Sequence, residues 1–535
     1  MKRLIYLLPA FALYLASCSD DTITPGNSDE LGNENVEQIT LKTANLASFK
    51  SSQSRVNVIG TRAYPNPGEL TLFATIDNLS KEGKITGFEK EGNDGRYLSA
   101  TCVYYDKNTG KYYVTYHMQG NNYNTKQTDE TSGYIETFTL DAEGKPTVDK
   151  VYMSEDPSKL DFDFNHLYFD DLSNSDNSGV YKGTDNGTRI IAVGHKSEPS
   201  KKEGGEPNTA AIIAKLNLEE GKIDYSTVLT GEKITDESVT KDDGTLMPLG
   251  DEDAGDVNCV LRKYDYYYLA TRKGIAVLNA RNDKDLFSPI NNVSTEDYKP
   301  IENTTYFVRT PGSAKHLCHY YPVYGSGFSF LYMTQPFPET YDGETALPAS
   351  IINFSMNAGD GTLCGMNTSG GGAAIYNTSG FDITTWSLGT NQFKTDGNIC
   401  PIDGKNVLAN LNGILYACLG KGGLYISGPS EKTIKFSDKK DGTGSRPVNG
   451  VFVEDLENYN DGFIYVANGA CLTILDRKTL EKVAEYSAFE EGDASANYVT
   501  VYKTDTYTGK CPDRLITVAY GQAGVKIFKF TPPSR

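Results

Sequence analysis

"VNGVFVEDLENYNDGFIYVANGACLTILDRKTLEKVAEY" runs from Val448 to Tyr486. It holds four short runs rich in β-branched and aromatic residues: Asn449 to Glu454, Phe463 to Asn468, Leu472 to Asp476 and Lys482 to Tyr486. Gly, Asn or Asp separates them, so each run reads as a strand and each gap as a turn. A fainter copy follows at once, "ANYVTVYKTDTYTGKCPDRLITVAYGQAGVKIFKF" (496–530), and it stops one run short. Four sequential antiparallel strands make one sheet. Such a unit recurring along a chain predicts a β-propeller.

The second strand and its turn can be followed backwards through the chain: "RLITVAYGQAG" (514–524), "GFIYVANGA" (462–470), "GILYACLGKGG" (413–423), "FSFLYMTQ" (328–335), "YYYLATRKG" (266–274), "RIIAVGHKS" (189–197) and "YYVTYHMQG" (112–120). A third strand follows each, which makes seven units. The first strand supports the count, because Asn recurs at its start: Asn165, Asn258, Asn398, Asn449 and Asn497. Thr101 and Leu317 stand at the matching place in the other two units. The innermost strand of a blade has one unpaired edge facing the central channel, and its N–H and C=O groups need partners. These Asn residues either satisfy that edge or form a ligand-binding ring.

The last unit lacks its outermost strand, and a segment from the opposite end of the chain would complete it. "ELTLFATI" (69–76) alternates and precedes the first unit; "RVNVIGT" (55–61) is the second choice. The expected fold is therefore an all-β, seven-bladed β-propeller of four-stranded antiparallel blades, closed by an N-terminal strand. Residues 51–96 supply the closing strand and lead-in, and 97–535 the blades, in a single domain over 51–535.

The kernel "IYVANGACLTILD" resembles the LVIVD-type repeats of bacterial surface propellers, and the resemblance covers 97 to the C-terminus. It implies the fold more than an activity. Trp386 is the only tryptophan, so Trp-Asp repeats are absent. "TSGFDITTW" (378–386) lacks the Gly of a sialidase Asp-box, and "SGGGAAIYN" (369–377) is a single Kelch-like run.

The N-terminus reads "MKRLIYLLPAFALYLASC". Lys2 and Arg3 precede an apolar run, Leu4 to Ala16, that is short for a membrane span. Leu15-Ala16-Ser17-Cys18 resembles the lipobox of bacterial lipoproteins, which implies cleavage before Cys18 and lipidation of its thiol. Residues 19–50 are acidic and polar and read as a flexible tether. Ser19-Asp20-Asp21 resembles the acidic signal that directs some lipoproteins to the outer face of the outer membrane; the periplasmic leaflet is the alternative. The only membrane contact expected is this anchor. Formal charge is −19, and without Lys2 and Arg3 there remain 49 basic against 70 acidic residues. With no Lys/Arg cluster to oppose that charge, nucleic acid is excluded as a partner.

Long insertions lie at 117–133, 195–210, 230–255 and 334–349. Propeller loops longer than ~12–15 residues tend to be functional or disordered. Most of these crowd one rim, where His117, His195, Arg272, Asn468 and Tyr520 end their second strands and Tyr123 lies in a long loop. These residues and the Asn ring are the expected ligand contacts. His316 and His319 lie three apart on a strand and so point to opposite faces, which argues against a shared metal. "DFDFNHLYFDD" (161–171) and "GDEDAGD" (250–256) carry carboxylates for calcium but not the spacing of an EF-hand, and read as solvated acidic loops. No cofactor is expected.

Eight Cys remain beside Cys18, and their placement in strands reads as small buried hydrophobes with mostly free thiols. No CxxC pair, G-x-S-x-G elbow, phosphate-binding loop or H-E-x-x-H helix occurs. The function expected from the sequence is non-catalytic: a surface module binding a glycan, peptide or outer-membrane partner protein in nutrient capture or adhesion. The alternatives are a propeller lactonase, lyase or glycosidase, and a structural scaffold. Paired carboxylates or a His/carboxylate cluster at the channel mouth would favour catalysis; Asn and Tyr there would favour binding.

Overall fold

The computed structural model describes residues 36–44, 54–56, 69–80, 98–106, 108–118, 132–142, 144–156, 161–171, 188–198, 208–231, 247–253, 255–263, 266–272, 274–280, 286–288, 304–309, 312–320, 327–336, 350–357, 366–369, 372–375, 385–387, 394–395, 398–399, 407–411, 414–427, 432–437, 446–454, 462–489, 494–503 and 513–533. Every element among them is a β-strand apart from turns, and every pairing is antiparallel.

The opening stretch folds as read, to within a residue. Its strands are Val448–Val453, Phe463–Asn468, Cys471–Asp476 and Lys482–Ser487, paired in sequential order. The two central strands are buried throughout. Their alternate side chains serve two different cores. Phe463, Tyr465 and Ala467 pack toward the sheet that follows, Ile464 and Val466 toward the one before. A strand covered on both faces must be apolar throughout, which is why these runs do not alternate.

The same order recurs, and the four-stranded sheets are numbered here in chain order. Sheet I runs from Leu98 to Ser154, II from Asp163 to Thr227, III from Val257 to Arg309 and IV from Gly312 to Ser387. Sheet V runs from Leu408 to Ile434, VI from Val448 to Ser487, and VII from Ala494 to Thr531. This up-and-down order is that of propeller blades. The first strand of each sheet packs on the next sheet in chain order, and the first strand of sheet I packs on sheet VII. Sheet VII has three strands of its own. Glu69–Ile76 pairs with its last strand, Val525–Thr531, from Glu69 opposite Thr531 to Ile76 opposite Val525. Ser54–Val56 pairs in turn with Glu69–Ile76, so both segments weighed for the missing strand join this sheet.

Several readings are corrected. Glu37–Ala44 was grouped with the tether on composition, yet it is a strand. Its first half pairs with the outer strand of sheet II and its second half with that of sheet I, while Ile39 and Leu41 pack on the core of these two sheets. The insertion 230–255 includes strand Met247–Asp253, which pairs with the outer strand of sheet III. The first strand of sheet V is Leu408–Leu411, not the segment at Asn398. Asn412-Gly413 separates it from Ile414–Cys418, and that dipeptide is the strongest signal for a two-residue hairpin. Asn398 lies instead in a two-residue strand paired with Lys394–Thr395. Cys18, Tyr123 and the signal segment lie outside the described residues.

The acidic stretch 161–171 is not solvated. Asp163 and Asp170 are buried, and Asp170 accepts Arg262 Nη1 at 2.8 Å and the Tyr267 hydroxyl at 2.7 Å. A second buried pair joins sheets VI and VII, where Arg514 Nε meets Glu454 Oε1 at 2.7 Å. The turn between the central strands of sheet VI depends on Gly469, at φ +52°. Its carbonyl accepts the Ala496 N–H of sheet VII at 2.6 Å, and its N–H donates to Pro447. A side chain in this left-handed conformation costs about 1–2 kcal/mol.

Removing one partner of a buried ion pair strands the other charge, at about 3–5 kcal/mol. Arg514→Leu is expected to cost that much in urea unfolding, and Glu454→Leu added to it to restore most of the loss. Glu136 offers a pH test. It is fully buried on the apolar face of sheet I, beside the stacked rings of Tyr116 and Tyr134. Burial, only partly offset by the nearby Tyr116 hydroxyl, pushes its carboxyl up from 4.5 to about 8. The unfolded chain releases this proton first, so stability falls as pH rises from about 4.5 to about 8. Glu136→Gln should flatten that part of the Tm-against-pH curve and raise Tm most at pH 8 and above.

Candidate functional site

Six of the first strands share a feature invisible in composition: a β-bulge near the start of the strand. The register slips past Thr101, Asn165, Asn258, Lys315 and Asn449, and in sheet VII over a wider interval that includes Asn497. A bulge re-aims the side chain of the extra residue. Lys315, not Leu317, thus holds the matching place in sheet IV.

The re-aimed side chains stitch neighbouring sheets. Asn497 Nδ2 donates to the Ala100 carbonyl at 3.5 Å, and Thr101 Oγ1 to Phe164 at 3.1 Å. Asn165 Nδ2 donates to Val257 at 3.0 Å, Asn258 to Ala314 at 2.7 Å, and Asn449 to Ala496 at 3.1 Å. In every case the acceptor immediately precedes the bulge residue of the next sheet. The inner edge is satisfied across the sheet boundary, which gives the Asn series a structural task.

At Asn165 the stitch opens into a larger polar network. His117, at the end of the second strand of sheet I, places Nδ1 3.2 Å from Asn165 Oδ1. Asn165 Nδ2 also donates to Asp256 Oδ1 at 2.8 Å. Asp256 Oδ1 receives His195 Nδ1 as well, at 3.1 Å, while His195 Nε2 lies 3.8 Å from Asp163 Oδ2. Because the Asn165 amide nitrogen serves as donor, its oxygen is the acceptor for His117. His117 then donates from Nδ1 to Asn165, and His195 donates from Nδ1 to the Asp256 carboxylate.

The backbone makes this convergence possible. A Cβ on Gly194 would collide with the Asp163 carbonyl, so only glycine lets the two strands meet beside His195. Arg272 donates its backbone N–H to the Asp256 carbonyl at 2.8 Å and lays its side-chain methylenes against Gly255. Burial would push the Asp256 carboxyl up, but the adjacent His195 and the bonds from His195 and Asn165 hold it below the ordinary range, aided by Lys315. It is an anion at neutral pH, pointed at a histidine.

Of the residues chosen from sequence, His117, Asn165, His195 and Arg272 come together. Asp163, Asp256 and Lys315 complete the group and were missed; the first two sat in stretches read as solvated. Asn468 and Tyr520 are fully buried elsewhere. Asn468 accepts Arg446 Nη1 and donates to Val466 and Thr473, and Tyr520 packs edge-on against Tyr486. Both lie within the packed interior of sheets VI and VII. Asn258, Asn449 and Asn497 serve as stitches.

Beneath the stitches, His166, Cys259 and His316 bring one ligand atom each within 4.8 Å of one another. His316 therefore faces His166 of another sheet; the His319 side chain lies outside the described residues. All five described cysteines, Cys102, Cys259, Cys318, Cys418 and Cys471, are free thiols.

No family model matches the chain, and no curated protein matches it. Among solved structures it is similar to BBS1N in complex with ARL6DN, at 8% identity over 82% of this chain and 93% of that one, with a TM-score of 0.37. It is similar also to the β-propeller domain of Cps50 (Swd1) from Myceliophteria thermophila, at 8% identity, 81% and 97% coverage and a TM-score of 0.38. A third is the periplasmic gluconolactonase PpgL of Pseudomonas aeruginosa, at 12% identity, 82% and 96% coverage and a TM-score of 0.35. Likenesses at these scores carry no argument about activity.

Asn165→Leu removes three contacts, and at about 1 kcal/mol each it should cost about 2–3 kcal/mol in urea unfolding. Asn165→Thr, which copies Thr101 of sheet I, should retain the carbonyl bond and recover part of that loss.

Proposed function

We propose that this chain is a lipid-anchored, seven-bladed β-propeller at the cell surface that binds a glycan through the polar mouth formed by sheets I, II and III. The closed seven-bladed ring is supported by the repeated four-strand order, by Glu69–Ile76 completing sheet VII, and by the packing of sheet VII on sheet I. The anchor and outer-membrane location rest on the lipobox-like Leu15-Ala16-Ser17-Cys18 and the acidic residues after it. The LVIVD-like kernel agrees with such a surface module.

One observation carries the binding reading: His117, Asn165, His195 and Asp256, from three successive sheets, converge in one hydrogen-bonded chain at the strand ends. Planar acceptors and donors fixed in this way match paired sugar hydroxyls. A peptide or a partner protein is the other ligand class for the same rim.

The pairing of His195 with Asp256 supports a second reading. A histidine oriented by a carboxylate is the usual arrangement of a general base. In that reading the same sugar is cleaved or isomerised instead of held.

The test is a soluble form beginning after Cys18, applied to a glycan array and then to calorimetry with the best binder. Binding should weaken at least 10-fold in His195→Ala and Asp256→Asn and remain unchanged in Tyr486→Phe. Binding unaffected by either rim variant sinks the site. Turnover of the bound glycan, lost in His195→Ala, selects the enzymatic reading.

A further inference from the structure

The residue after each bulge lies deeper along the first strand than the stitch. At this place stand Cys102, His166, Cys259, His316, Gly450 and Tyr498. They meet one another. The His166 ring lies 5.9 Å from those of both His316 and Tyr498, in edge-to-face contact. A Cβ on Gly450 would stand 3.2 Å from the Tyr498 Cα, so the glycine makes room for the tyrosine. A second interior layer thus sits beneath the stitches, with one residue from each bulged strand.

Sheets II, III and IV, consecutive in the chain, contribute His, Cys and His to it. We propose that His166, Cys259 and His316 form a binding site for a borderline divalent transition metal, Zn²⁺ foremost. Four features argue for it. The three ligand atoms already lie within 4.8 Å of one another. A tetrahedral zinc with bonds of about 2.0–2.3 Å separates its ligand atoms by about 3.3–3.6 Å, so closure needs shifts of about 1 Å. His166 and Cys259 are buried and His316 is half-buried, so a bound ion would be held largely out of water. Two imidazoles and a thiol select zinc-like ions and reject calcium and magnesium, which require oxygen donors. The ligands also come from rigid strands held in register by the stitches above, so the ordering cost of the site is met in folding.

Binding has a definite cost. Leu408 N–H donates to His316 Nδ1 at 3.2 Å. Coordination turns the His316 ring away from that contact, and Cys259 enters as thiolate, releasing one proton to solvent for each ion bound. This inference is independent of the glycan site, whose histidines belong to the layer above.

The full chain lacking only residues 1–18 should be stripped with chelator and titrated with Co²⁺ and Zn²⁺. One ion per chain is expected, with a thiolate-to-cobalt charge-transfer band and a rise in Tm with Zn²⁺. Cys259→Ser should abolish the band and His166→Ala weaken uptake at least 10-fold, while His195→Ala leaves both unchanged. If the variants fail to fold, X-ray absorption on the wild-type zinc form decides: one sulfur and two imidazoles support the site, and nitrogen and oxygen ligands alone overturn it. Absence of stoichiometric binding at micromolar metal, or a band that survives in Cys259→Ser, also overturns it.

Discussion

The bulge in the first strand is the constraint from which the rest follows. A regular strand would present its side chains alternately to the two flanking sheets and leave its inner edge to water. One extra residue breaks that alternation and swings an Asn or Thr sideways to the backbone of the next sheet. Each stitch is worth only about 1 kcal/mol net. Its larger effect is geometric, because it sets how deep each sheet stands against its neighbour. Buried ion pairs, Asp170 with Arg262 and Glu454 with Arg514, reinforce two of the same boundaries.

Both chemical layers descend from this device. The residue on the bulge and the one after it are aimed toward the interior at successive depths. The upper layer carries amides, which bond to backbone, and at sheet II the amide has capacity left for His117 and Asp256. The lower layer carries His, Cys, Gly and Tyr, whose sizes must fit against one another. Gly450 beside Tyr498 shows that fit. A site of either kind needs no dedicated loop, only a different residue at a place the fold already orients.

The architecture was legible because strands buried on both faces leave continuous apolar runs, and because turns such as that at Gly469 recur with the same residues. The recurring Asn was legible as well, though not its partner, since a bulge has no signature beyond the slip it causes. Sheet V shows the limit. Asn398 imitated the repeat, while Asn412-Gly413 marked the true hairpin and outweighed it. Charge misled in both directions. Asp163, Asp170 and Asp256 lie in runs that look solvated, yet their partners, His195 and Arg262, are distant in the chain and only the fold brings them together. Glu37–Ala44 looked like a tether because its apolar face is only Ile39 and Leu41, too short to stand out from an acidic stretch.

That bridging strand has a mechanical consequence. Its eight residues pair half with one sheet and half with the next, along their outer rims. A pull along its axis loads these hydrogen bonds together in shear, and none can be peeled singly. Force arriving from the N-terminal side is thereby divided between two sheets before it reaches Glu69–Ile76. The seam between the two chain ends is shielded from tension by a segment that lends only Ile39 and Leu41 to the core.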